Sequence, residues 1–136
     1  MLSDSPSAPG RFEPRNGGDL TARPRPAIME HMPRYAYRLR IKADAIEEYE
    51  REHKRVWPEL LAKLKEVGIC DYSIFRRGQD LMLVLRVDDF DKAMDEMDRD
   101  PVNQRWQVFM SRLFEPVPDK QPGERFSMWK EVFYLE

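Results

Sequence analysis

Between Arg34 and Ile41 the chain alternates, with Tyr35, Tyr37, Leu39 and Ile41 on one side and Arg34, Arg38 and Arg40 on the other. A period of two predicts a strand with one buried face. After Asp44 the period lengthens to that of a helix: Ile46, Tyr49, His53, Val56, Leu60, Leu64 and Val67 form one stripe that ends at Gly68. This predicts a helix over 45–67, opened by Asp44 and Glu47 in the spacing of a capping box. Pro58 lies inside it, removing a backbone donor and disfavouring helical geometry at Trp57, so a kink is expected there. Residues 70–76 and 81–87 read as two strands of a hairpin that turns near Gly78. Phe90, Ala93, Met94 and Met97 mark a short amphipathic helix. Asp100 as N-cap and Pro101 at the first helical position open another, which buries Val102, Trp106, Phe109, Met110 and Leu113. A proline-containing loop over 115–123 leads to a closing strand over 130–135.

The order strand, helix, strand, strand, helix pair, strand predicts an α+β fold: a ferredoxin-like βαββαβ antiparallel sheet with its helices on one face. The other face of such a sheet is left uncovered. A homodimer packed sheet to sheet, or a ligand laid on that face, would cover it. The segment 1–33 stands apart from this scheme, with 6 of the chain's 11 prolines, 3 of its 6 glycines and no apolar periodicity. It reads as a flexible N-terminal tail, so the folded domain is expected over 34–136.

Composition narrows the class without naming a task. A chain of 136 residues suits one domain with one core. Its net charge of -2 offers no general attraction to nucleic acid or anionic lipid. Cys70 is the single cysteine, which allows no intrachain disulfide and suits a reducing compartment. No apolar run approaches the roughly 20 residues of a membrane helix, and the N-terminus lacks the apolar core of a secretory signal. The expected location is the cytoplasm.

Chemistry concentrates on the first helix. Tyr49, His53 and Trp57 follow one another at intervals of four, placing a phenol, an imidazole and an indole where leucines would pack better. His53 is the only histidine of the predicted domain, and an imidazole is suited to give and take a proton near neutrality. Nothing else in the sequence announces a nucleophile motif, a phosphate-cradling loop or a metal-ligand spacing. Proton transfer alone is the reaction that this set of groups could perform. Tyr72 and Trp106 are by default core residues, although aromatic faces and phenol hydroxyls also suit a sugar, with its apolar C–H face and rim of hydroxyls.

The stretches "EEYEREHKRVWPEL", "DYSIF", "DPVNQRW" with its following "FM", and the terminal "EVFYL" together resemble the L-rhamnose mutarotase family over roughly Tyr35 to Glu136. The resemblance implies a cofactor-free homodimer, a dimeric α+β barrel, that interconverts the α and β anomers of L-rhamnose. It places the proton-transferring histidine at His53 and the sugar contacts at Tyr49, Tyr72, Trp106 and Gln107. At Gln107 the chain departs from the family pattern, which carries a second tryptophan, so the sugar could be another 6-deoxyhexose such as L-fucose. On this reading Tyr49, His53 and Trp57 form the helical wall of a sugar pocket. Two other classes share the fold. An RNA-recognition module would use the arginines of the first strand, but "LMLVLRV" lacks base-stacking aromatics. A cofactor-free oxygenase would need an electron-rich aromatic substrate.

Overall fold

The computed structural model describes residues 32–136. In chain order its elements are β1 (Arg34–Arg40), a 3₁₀ turn (Ala43–Ala45), α1 (Ile46–His53), α2 (Pro58–Glu66), β2 (Cys70–Arg77), β3 (Asp80–Arg86), α3 (Phe90–Arg99), α4 (Pro101–Ser111) and β4 (Ser127–Trp129). The strands form one antiparallel sheet in the order β2-β3-β1-β4. This is the expected βαββαβ arrangement. Facing pairs such as Tyr37 with Leu83, and Leu83 with Ile74, put Tyr37, Leu81, Leu83 and Leu85 into the buried core. The period-two residues of β1 therefore point where their alternation predicts.

The predicted long helix is two helices. Trp57 takes an extended conformation (φ -58°, ψ 131°) and Pro58 becomes the first residue of α2. The cause is steric: proline crowds the residue before it out of helical geometry, yet its own fixed φ suits a helix start. The chain therefore breaks at 54–57 rather than kinking. At the front end Asp44 lies within the 3₁₀ turn, and Ala45 caps α1 with no side-chain bond, so the capping box does not form. The cap at Asp100 does form, its carboxylate accepting from the Asn103 backbone N–H at 2.9 Å.

The last strand is shorter and earlier than its sequence suggests. Ser127–Trp129 pair with Ala36–Arg38 of β1, and the side chain of Phe126 stacks on Tyr37 with ring centres 4.2 Å apart. Beyond them Val132, Phe133 and Leu135 are 86%, 76% and 79% exposed. Their β-branched and aromatic character suits a strand, but a strand needs a neighbour, and the described residues supply none there. The expected tail, 1–33, lies outside the described residues except for its last two.

A β-bulge shapes β2. Between Cys70 and Ser73 the register with β3 slips by one residue, with Asp71 in the left-handed region at φ 50°. Such an insertion bends a strand and re-aims the side chains around it. Tyr72, just past the bulge, joins Ile74 against the buried core.

Candidate active site

His53 is the last residue of α1. Its Nδ1 lies 2.9 Å from the carbonyl oxygen of Tyr49, one turn back. A carbonyl can only accept, so Nδ1 carries the hydrogen and Nε2 is left with its lone pair. Burial lowers the imidazole's pKa below the ordinary value, against smaller raising effects of the Tyr49 bond and the Glu52 carboxylate. The neutral, base-ready form is thereby favoured. The ring stacks on Tyr49 at 4.1 Å and meets the indole of Trp106 nearly edge-on at 5.6 Å.

A cavity of about 170 Å³ opens beside this imidazole, lined by His53, Val56, Leu60, Leu61 and Leu64 on one side and by Tyr72, Ile74, Asn103, Trp106 and Gln107 on the other. That volume falls below the roughly 300 Å³ at which pockets for drug-sized ligands begin, and suits one small ring. The break before Pro58 helps to form the first wall, because α2 starts afresh and turns Leu60, Leu61 and Leu64 toward the space. The second wall needs both the bulged β2 and the well-capped α4, whose residues 103, 106 and 107 share one face.

Each polar group on that wall is held. The Tyr72 hydroxyl lies 3.4 Å from that of Tyr37, and burial raises the pKa of both phenols. They remain protonated across the neutral range. Gln107 donates from Nε2 to Asn103 Oδ1 at 3.2 Å, and Asn103 donates from Nδ2 to the Met97 carbonyl at 2.9 Å.

Of the residues singled out from sequence, His53, Tyr72, Trp106 and Gln107 meet at this cavity. Tyr49 does not line it. It is buried beneath the imidazole, 4% exposed, with its ring edge against Phe114. Trp57 does not line it either: the helix ends at His53, so Trp57 is displaced from the stripe and packs against Trp106 and Phe109. Asn103 carried no weight in the sequence. Its signal was a polar residue one turn before Gln107, on a face otherwise apolar at Trp106 and Met110.

The arginines of β1 are not a free basic surface. Arg38 pairs with Asp80 and Asp119, Arg40 with Asp80 and Glu115, and Arg34 with Glu131. Among the described residues no group of three His, Cys, Asp or Glu side chains converges as a metal site. No helix of the described residues is long and apolar enough to cross a membrane.

Comparison with known proteins agrees with this geometry. The family model for L-rhamnose mutarotase matches residues 34–135. An L-rhamnose mutarotase of Flavobacterium johnsoniae is 34% identical over 110 residues, covering 79% of this chain and all of the relative. An L-fucose mutarotase of Xanthomonas campestris is 37% identical over 111 residues, covering 76% of this chain and 89% of the relative. The crystal structure of an L-rhamnose mutarotase from Formosa agariphila superposes with a TM-score of 0.63 at 26% identity, covering 76% of this chain and 99% of that one. With a family match that runs through the whole sheet and includes both walls of the cavity around His53, this chain belongs to the L-rhamnose mutarotase family.

Proposed function

We propose that this protein is an isomerase that interconverts the α and β anomers of L-rhamnose or a related 6-deoxyhexose. The observation that carries the reading is His53: a half-buried imidazole, its tautomer set by the Tyr49 carbonyl, facing a ring-sized space lined with an indole, a phenol and two amides. Neutral Nε2 takes the proton of the anomeric hydroxyl. The same proton is then delivered to the ring oxygen, which is bonded to the same carbon. As the C1–O5 bond breaks, C1=O1 forms and the open aldehyde appears. Rotation about C1–C2 and the reverse transfers close the ring as the other anomer. Trp106 offers its face to the C–H side of the sugar, and Tyr72 and Gln107 offer hydrogen bonds to its hydroxyls. Tyr49 supports the imidazole from below rather than touching the sugar. No step requires a cofactor.

Saturation-transfer NMR across a panel of 6-deoxyhexoses tests this. Catalysed anomer exchange is expected for L-rhamnose, and none above the spontaneous rate for any member would overturn the assignment. L-Fucose is the first alternative substrate, because the L-fucose mutarotase relative is as similar as those named for rhamnose and Gln107 is polar where the family pattern has an indole.

A second copy of this chain is the proposed cover for the open face of the sheet, where Phe75 and Trp129 are 61% and 51% exposed beside Met82 and Val84. Sedimentation should give twice the monomer mass at micromolar concentration. A stable monomer would remove the dimer.

A further inference from the structure

The amide of Gln107 could in principle face either way, presenting an acceptor or a donor pair to the cavity. Its neighbours remove that freedom. Met97 lies in the last turn of α3, and its carbonyl accepts from Asp100 N–H at 3.1 Å and from Asn103 Nδ2 at 2.9 Å. A carbonyl has no hydrogen to give, so the Asn103 amide must turn its NH₂ toward Met97 and its Oδ1 away. Oδ1 then faces Gln107 at 3.2 Å. Being an acceptor alone, it requires the Gln107 NH₂ and not the Gln107 oxygen. A flip of either amide would set two oxygens against each other, and Asn103 is 6% exposed, so water could not relieve the clash cheaply.

We infer that Asn103 is a positioning residue: it fixes the polarity of the Gln107 amide so that Oε1 is the acceptor offered to a sugar hydroxyl, and thereby sets the preference among 6-deoxyhexose epimers. The inference rests on the proposed sugar isomerisation for its substrate, but not for the amide chain itself. L-Rhamnose and L-fucose differ in which of hydroxyls 2 and 4 is axial. An acceptor fixed in place on one wall meets one hydroxyl arrangement and misses the other. Sites that match polar groups separate substrates more strongly than sites that match shape alone. The arrangement starts at the helix junction, because the Asp100 carboxylate that caps α4 also holds the Asn103 backbone N–H. Selectivity is thus anchored to the turn between α3 and α4 rather than to a free surface side chain.

The experiment compares exchange rates for L-rhamnose and L-fucose in wild type, Asn103→Ala, Gln107→Leu and the double variant. Asn103→Ala should change the ratio of the two rates by about 3- to 10-fold, the effect of one hydrogen bond. In the Gln107→Leu background it should change the ratio no further. A lowered melting temperature with an unchanged ratio would make Asn103 merely structural, and a full change in the Gln107→Leu background would show that it does not act through Gln107. Should Asn103→Ala fold poorly, Gln107→Glu at the exposed partner position serves instead. A carboxylate has no hydrogen for Asn103 Oδ1, so the ratio should shift, and an unshifted ratio would overturn the polarity argument. The side-chain amide signals of Gln107 in a ¹⁵N spectrum give a readout free of activity: they should move toward those of a free glutamine amide in Asn103→Ala. Unmoved signals would overturn the clamp itself, whereas wild type that exchanges neither sugar would overturn the isomerase reading and the epimer preference with it.

Discussion

The wall of the cavity built from α1 and α2 presents one polar group, His53, among Val56, Leu60, Leu61 and Leu64, whereas the wall built from β2 and α4 presents Tyr72, Asn103 and Gln107 around Trp106. The first wall is apolar and its single base is desolvated, which lowers the imidazole's pKa and keeps it unprotonated. The second is a row of groups already bound to one another: phenol to phenol, and amide to amide to carbonyl. On the proposed function, one wall holds the means of moving a proton and the other the means of choosing a ring. The walls touch where His53 meets Trp106, but their polar groups sit on separate elements, so those of one can be altered without removing those of the other.

The sharpest way to break this division is His53→Ala. It should lower anomer exchange by about 10²- to 10⁴-fold, the range for a positioned acid/base, while the ratio between sugars stays as in wild type. The wild-type rate should also fall as pH drops through the lowered pKa of His53, on the acid side of about 6.5, because the protonated ring cannot accept. It should be level above that. In His53→Ala this limb should vanish, and its survival would assign the proton transfer to another group. Saturation transfer at a series of pH values measures both.

A smaller effect belongs to the opposite wall. Tyr72→Phe should weaken sugar binding by roughly 2- to 10-fold, one hydrogen bond, with the acid limb of the pH profile unmoved. It also strands the buried hydroxyl of Tyr37, so a loss of about 1 kcal/mol in stability is expected by denaturant titration. Unaltered binding together with that loss would return Tyr72 to a purely structural role.

Much of this was legible before the structure. The alternation of β1, the hairpin at Gly78 and the Asp100–Pro101 helix start are local signals, read from neighbours within a few residues, and each appears where expected. What could not be read was decided by longer geometry. The stripe Tyr49, His53, Trp57 assumed a continuous helix; once Pro58 began a new one, Trp57 left the stripe and Tyr49 stayed in the core. The segment "EVFYL" has the composition of a strand, but pairing depends on a partner that sequence spacing does not supply. Tyr72 was singled out through the family resemblance, but the bulge just before it, a one-residue slip in pairing with β3, has no mark in its own neighbourhood. Asn103 was invisible because its role depends on a carbonyl six residues away in the preceding helix.

The three tryptophans of the chain are divided between two places, with an optical consequence. Trp57 and Trp106 meet edge to face at 5.1 Å beside the cavity, while Trp129 stands half in solvent on the open face of the sheet. The intrinsic emission is therefore the sum of an indole pair in contact, one member buried and the other partly so, and a single half-exposed indole. A ligand entering beside Trp106 changes the first, and a body covering the sheet changes the second toward the blue. Without any label, the protein's own fluorescence distinguishes the filling of its cavity from the covering of its sheet.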